Sequence, residues 1–371
     1  MNITSIVLLV IGLVLLVLGA ELLVRGASRL AALVGISSLV IGLTVVAFGT
    51  SAPELAVSLR ASFSGQADIA LGNVVGSNIC NILLILGISS LIAPLIVAQQ
   101  LVRLDVPIMI GVSILMLVFG LDGAITTSDG TILFIGGIVY TLFLVFQSRR
   151  ETNPIVQDEY ARYSRQPFSL KSAGVNLLFF LVGMGLLVTG SNMLVDNAVD
   201  IATALGASPL VVGLTIVAFG TSLPELATSL IASIRGERDI AVGNVVGSNI
   251  FNILIVLGLT SALSPTGISV SNTAITFDIP IMVAVSIMCF PIVFTGNSIS
   301  RWEGGLLLSY YITYTIYLIL HATDAESSIW VGAILRFVVV PLTLLVLGTM
   351  TWRSWRLKRQ RRAAERAGDR K

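Results

Sequence analysis

The chain has 371 residues, 55% of them hydrophobic and 11% charged, with a mean hydropathy of +0.96. A soluble domain is about a quarter charged, so composition alone excludes an ordinary soluble protein and points to an all-α polytopic membrane protein. The formal charge of +2 hides an asymmetry, because the basic residues gather at the C-terminus, and Cys80 and Cys289 both stand in apolar runs, which argues against a disulfide framework or a cysteine metal site.

Apolar runs of about 20 residues suffice to cross the hydrocarbon core as helices. Such runs are expected near 4–24, 34–61, 69–93, 104–121, 130–147, 172–194, 205–233, 240–263, 274–295, 304–321 and 330–351. The first has no basic leader and is long enough to span, so no cleavable signal peptide is expected. Glycine, proline and small polar residues interrupt the second and third spans of each half, which should be bent or broken. The polar stretch 147–171 is too short to bury a core of its own.

Basic residues set the orientation. With the N-terminus outside, the inside connections carry Arg25, Arg29, Arg103, Arg149, Arg150, Arg162, Arg165, Lys171, Arg235, Arg238 and Arg301, and the tail adds nine more from Arg353 to Lys371. The outside connections carry only Arg60. The positive-inside rule therefore places the 149–171 loop and the basic 352–371 tail in the cytoplasm, the tail acting as an anchor against anionic lipid.

One stretch is written twice. GLTVVAFGTSAPELAVSL and DIALGNVVGSNICNIL lie within Ile41–Gly87, and GLTIVAFGTSLPELATSL and DIAVGNVVGSNIFNIL lie within Val212–Gly258. The offset of 171, read from Glu54 and Glu225 (225 − 54), holds from Gly19 opposite Gly190 to Pro94 opposite Pro265. Five spans precede the second copy, an odd number, so the second copy should lie upside down. The expected architecture is two inverted five-helix repeats, 1–148 (motif 41–93) and 172–321 (motif 212–264), plus an eleventh span at 330–351. Secondary transporters are often built this way, with sites at the repeat interface.

Each copy buries a carboxylate in an apolar segment, a functional-site hypothesis by default. Thr50, Ser51 and Glu54 stand at i, i+1 and i+4, so Thr50 and Glu54 share a helix face. Pro53 removes a backbone donor and clashes with the carbonyl of Gly49, and carbonyls nearby, including Ala47, become candidate oxygen ligands. Asn73, Ser77 and Asn81 form a polar stripe on the next helix. The second copy supplies Ala218, Thr221, Ser222, Glu225, Asn244, Ser248 and Asn252. All are oxygen donors, which suit hard cations such as Ca²⁺ and Na⁺. Two carboxylates neutralise one divalent ion or two monovalent ones. For Asn73, Asn78, Asn244 and Asn249 the plainer reading is an interhelical hydrogen bond. Asp105 and Asp278 precede a proline at a span start and read as helix N-caps. His321 reads as interfacial, and Arg336 as packed or snorkelling.

At these residues the chain resembles the cation/calcium antiporter superfamily, specifically sodium/calcium exchangers of the prokaryotic type, whose two α-repeats GTSAPEL, GTSLPEL and the paired GNVVGSNI segments match. The resemblance covers about residues 1–321 and implies export of Ca²⁺ against Na⁺ by alternating access across a prokaryotic cell membrane. It implies ligands at Glu54, Glu225, Thr50, Ser51, Thr221, Ser222, the Ala47 and Ala218 carbonyls, Ser77, Ser248, Asn81 and Asn252, with Asn73 and Asn244 as nearby candidates. It also implies a third Na⁺, held mainly by neutral oxygens, and hence electrogenic exchange. Some relatives, including the potassium-dependent branch, carry Asp where this chain has Asn252. Ca²⁺/H⁺ exchange at the same site is the runner-up, and a cation channel a more distant one. No enzyme activity, cofactor or nucleic-acid partner is expected; the partners are the lipid bilayer and the transported ions.

Overall fold

The computed structural model describes residues 3–34, 36–149, 170–204, 218–294, 296–322 and 327–334, with isolated positions beyond. Helices dominate: α1 (Ile3–Val34), α2 (Ser38–Ile41), α3 (Ala47–Thr50), α4 (Ala52–Phe63), α5 (Ala67–Cys80), α6 (Leu86–Ile92), α7 (Val106–Gly120), α8 (Thr127–Arg149), α9 (Leu170–Ala204), α10 (Ala218–Gly220), α11 (Leu223–Arg235), α12 (Arg238–Phe251), α13 (Gly258–Leu263), α14 (Ile279–Phe294), α15 (Arg301–Ala322) and α16 (Ser327–Ile334). Among the described residues seven are long and apolar enough to span alone or with a continuation, and a bent pair makes an eighth. The expected 205–233 span lies outside the described residues over 205–217, as does most of 330–351, Arg336 included.

The second span is broken as expected. Its halves, Ser38–Thr50 and Ala52–Phe63, meet at 43°. Ser51 at the joint has φ −82° and ψ 5°, and Pro53 stands in the first turn of α4, a position that proline favours. Ser222 adopts the same conformation, φ −87° and ψ 6°, ahead of Pro224 in α11.

The third span of each copy is not broken. Ala67–Ile92 and Arg238–Leu263 each run as one helix. The polar residues there widen the winding instead, into π-helical turns at Asn81–Ile85 and Asn252–Leu257. Such turns absorb one extra residue and recur at functional sites.

The N-cap reading of Asp105 and Asp278 also fails. Each ends a π-helical turn, Leu101–Asp105 and Ala274–Asp278, that leads directly into α7 or α14. Pro107 and Pro280 follow two residues on, and the wider winding accommodates a ring that brings no N–H. Asp105 is fully buried and accepts from the Tyr140 hydroxyl at 3.0 Å and Gln100 Nε2 at 3.4 Å.

The centre of the molecule is α5 with α6 and α12 with α13. Their apolar windows are 78% and 94% buried, against 28% for α1 and α9. The two peripheral helices pack antiparallel through glycine. A Cβ on Gly12 would meet the Gly190 carbonyl oxygen at 2.9 Å, and one on Gly19 the Gly183 carbonyl oxygen at 2.8 Å. Small residues permit this backbone-to-backbone approach. Within α1, Glu21 pairs with Arg25 and with Arg235 at the end of α11.

Two short antiparallel ladders were not expected of an all-α chain. β1 (Leu95–Ile96) pairs with β4 (Ser298–Ile299), and β2 (Ala124–Ile125) with β3 (Ile268–Ser269). Each joins a connection in one copy to a connection in the other, satisfying backbone groups where helices end. The following helices are capped in the sequence: Thr126 and Asp129 exchange bonds at the start of α8, and the Ser300 N–H donates to Glu303 at the start of α15.

Candidate cation site

The breaks at Ser51 and Ser222 start α4 and α11 inside the protein, each with its glutamate in the first turn. Glu54 and Glu225 are both fully buried. The two copies are laced together there. Ser51 Oγ donates to Glu225 Oε1 at 3.2 Å, Ser77 Oγ to Glu54 Oε1 at 3.5 Å, and Ser222 Oγ to Ser77 Oγ at 3.3 Å.

Asparagines brace the glutamate helices in equivalent ways. Asn73 Nδ2 donates to the Glu54 carbonyl (3.1 Å) and Ser58 Oγ (3.0 Å). Asn244 Nδ2 donates to the Glu225 carbonyl (3.4 Å) and Ser229 Oγ (3.0 Å). Their amide oxygens accept threonine hydroxyls from the opposite copy: Thr50 Oγ1 to Asn244 at 3.1 Å, and Thr221 Oγ1 to Asn73 at 3.3 Å. A threonine that has given its proton away keeps its lone pairs for a cation, and each amide oxygen keeps a second lone pair.

The two broken helices differ in one backbone bond. Ser51 N–H bonds to the Ala47 carbonyl at 2.9 Å, whereas Ser222 N–H bonds one residue later, to Phe219, at 3.2 Å. That bond therefore occupies Ala47 but not Ala218. The donor that Pro53 lacks is the one that would have served Gly49, so Ala47 keeps its helical partner, and the Thr50 hydroxyl stands 3.3 Å from the same carbonyl oxygen.

Five oxygens at this centre have no partner among the described residues and no solvent contact: Glu54 Oε2, Glu225 Oε2, Asn81 Oδ1, Asn252 Oδ1 and Ser248 Oγ. Buried polar atoms are almost always bonded, so a group of unsatisfied acceptors around two carboxylates is chemically suited to a desolvated cation. Among the described residues no three His, Cys, Asp or Glu side chains gather, so the donor set is two carboxylates with neutral oxygens, a hard-cation set.

All fourteen candidate positions lie on the elements that meet here: Ala47, Thr50, Ser51 and Glu54 on α3–α4, Asn73, Ser77 and Asn81 on α5 and its π turn, Ala218, Thr221, Ser222 and Glu225 on α10–α11, and Asn244, Ser248 and Asn252 on α12 and its π turn. The sequence reading missed Ser58 and Ser229. Both stand four residues after their glutamate, on the same helix face, a spacing that could have revealed them.

The sodium/calcium exchanger protein family model matches residues 4–148 and 175–320. The sodium/calcium exchanger MaX1 of Methanosarcina acetivorans is 33% identical over 349 residues, 86% of this chain and 99% of that protein. The putative antiporter CaxA of Alkalimonas amylolytica is 40% identical over 289 residues, 77% of this chain and 89% of that one. A structure of the sodium-calcium exchanger NCX_Mj, soaked with 2.5 mM Na⁺ and 1 mM Sr²⁺, superposes with a TM-score of 0.73 at 34% identity, covering 84% of this chain and 97% of that one. The matches span both halves of the chain and the whole candidate site: the protein belongs to the sodium/calcium exchanger family, a multi-pass membrane antiporter and not an enzyme.

Proposed function

We propose that the protein exports Ca²⁺ in exchange for Na⁺ by alternating access across a prokaryotic plasma membrane. The observation that carries this reading is the pair of buried, unpartnered carboxylate oxygens, Glu54 Oε2 and Glu225 Oε2, set among neutral oxygens at the meeting of the two copies. The ligands are the Glu54 and Glu225 carboxylates, the hydroxyls of Thr50, Ser51, Ser77, Thr221, Ser222 and Ser248, the amide oxygens of Asn81 and Asn252, and the Ala47 and Ala218 carbonyls, with Asn73 and Asn244 at the rim. One Ca²⁺ cancels the two negative charges. Three Na⁺ exceed them by one, the third held by neutral oxygens such as Ala218, Thr221 and Ser77. The Ser222 N–H, by bonding to Phe219, supports the availability of the Ala218 carbonyl.

The membrane arrangement in this reading is two inverted five-helix repeats and an eleventh span, with Met1 outside and the 149–171 loop and Lys371 in the cytoplasm. The antiparallel packing of α1 on α9 supports the inversion, since these helices hold equivalent positions in the two copies, Gly19 and Gly190 among them. The meeting of Arg25 and Arg235 at Glu21 supports it too, because the loop charges assign both arginines to the inner side.

Calcium flux in proteoliposomes, with sodium, potassium or proton gradients imposed separately, tests the assignment. Glu54→Gln and Glu225→Gln are expected to abolish sodium-driven uptake in folded protein, because a neutral amide cannot offset divalent charge at low dielectric. Near-normal flux in either variant would rule out the site. Flux driven by a proton gradient and indifferent to sodium would favour Ca²⁺/H⁺ exchange.

A further inference from the structure

We infer that Asn78 and Asn249, which touch no proposed ion position, are positioning residues that decide which end of the Asn81 and Asn252 amides faces the cation; this rests on the proposed site. The four side chains form one closed network across the interface of the two copies. Asn78 Nδ2 donates to the Asn249 backbone carbonyl, and Asn249 Nδ2 to the Asn78 backbone carbonyl, both at 3.3 Å. The same nitrogens reach Met282 Sδ and Met109 Sδ at 3.6 Å. Asn81 Nδ2 donates to Asn249 Oδ1 at 3.0 Å, and Asn252 Nδ2 to Asn78 Oδ1 at 3.1 Å.

The orientation of every amide follows from those bonds. A backbone carbonyl only accepts, so the nitrogens of Asn78 and Asn249 must face it. Their oxygens then face Asn81 and Asn252, and an amide oxygen also only accepts. Asn81 and Asn252 must therefore turn their nitrogens outward to it. What remains of each is Oδ1, fully buried and unpartnered. Asn81 stands one turn beyond Ser77, the donor to Glu54, and Asn252 one turn beyond Ser248, so both lie on the site face of their helices.

An amide is nearly symmetric in shape, so packing cannot choose between its ends, and only hydrogen bonding does. Reversed, Asn81 or Asn252 would present an N–H dipole to a cation and turn a ligand into a repulsive group. Asn78 and Asn249 hold them against that reversal.

The test is a set of variants measured by Ca²⁺ and Na⁺ dependence of flux and by ion-induced thermal shift of the purified protein. Asn249→Leu is expected to raise KM for Ca²⁺ up to about tenfold, the upper scale of a neutral hydrogen bond, with kcat changed less than about twofold. Asn81→Ala alone is expected to weaken binding, and adding Asn249→Leu to it should have no further effect, because Asn249 acts through Asn81. Asn249→Asp, as the neutral acid, keeps the acceptor for Asn81 and an O–H donor for the Asn78 carbonyl, and should stay within about threefold of wild type by the same measure. Additive effects of Asn249→Leu and Asn81→Ala, or an Asn249→Asp variant as impaired as Asn249→Leu, would overturn the inference. Should Asn249→Leu not fold, Asn249→Asp and the opposite pair, Asn78→Asp with Asn252→Ala, decide by the same criteria. If Asn81→Ala weakens binding while a folded Asn249→Leu binds normally, the inference fails and the site stands. If Glu54→Gln exchanges normally, the site itself falls and the inference with it.

Discussion

Ser51, which follows the break in the second span, gives its hydroxyl proton not to Glu54 on its own helix but to Glu225 of the other copy, at 3.2 Å. Ser222 does not return the bond directly; it donates to Ser77, which donates to Glu54. Residues at matching positions thus act unequally. A bond to a charged acceptor contributes about 1.5–3 kcal/mol. Ser51→Ala is therefore expected to weaken apparent Ca²⁺ affinity about tenfold or more, and Ser222→Ala less. Flux titrations giving equal losses would contradict the asymmetry.

Pro53 and Pro224 should matter through shape rather than contact. Pro53→Ala restores an N–H able to bond to Gly49 and relaxes the constraint behind the 43° break. The variant is expected to melt no lower than the wild type, yet exchange calcium several-fold more slowly, because Ser51 and Glu54 leave their places together. A variant with normal flux would show that the break does not depend on the proline.

Glu21 on α1 pairs with Arg235 at the end of the glutamate helix α11. If α1 and α9 move past the core during exchange, this contact must open. A Glu21→Cys, Arg235→Cys double variant, crosslinked, is expected to bind ions with unchanged thermal shift but to stop transporting, with recovery on reduction. Undiminished flux in the crosslinked protein would assign the motion to other helices.

A cycle moving one net charge couples ~2.3 kcal/mol to every 100 mV. Calcium export is expected to accelerate at a negative-inside potential and to lose that acceleration when the potential is clamped at zero. Exchange indifferent to potential would replace three sodium ions by two, balanced on Glu54 and Glu225.

Much of this was legible in the chain. The duplication located Glu54 and Glu225, and the residue types around them pointed to oxygen ligation. What was not legible depends on backbone winding and on pairs distant in sequence. No period in the sequence distinguishes a π turn at Asn81–Ile85 from ordinary helix, so the sequence offers a break in the third span where the chain runs on. Asp105 looked like an N-cap because a proline follows it, yet the chain is already helical there and Tyr140, 35 residues away, is its partner. The network joining Asn78 to Asn249 spans 171 residues and could not be deduced from either motif alone.

The glycine seam between α1 and α9 has a bearing on the lipid as well. These helices have 32 and 35 residues, about 48 and 52 Å at 1.5 Å per residue, against a hydrocarbon core of ~30 Å. They fit a bilayer only by tilting or by projecting from it. Because the seam joins backbone to backbone, the pair should tilt as one body, and its angle is set in part by the thickness of the membrane. The exchanger should then sense bilayer thickness: turnover in proteoliposomes is expected to vary with acyl-chain length while ion affinity at the buried site stays constant. Equal turnover across chain lengths would mean that the seam's tilt is fixed by the protein alone.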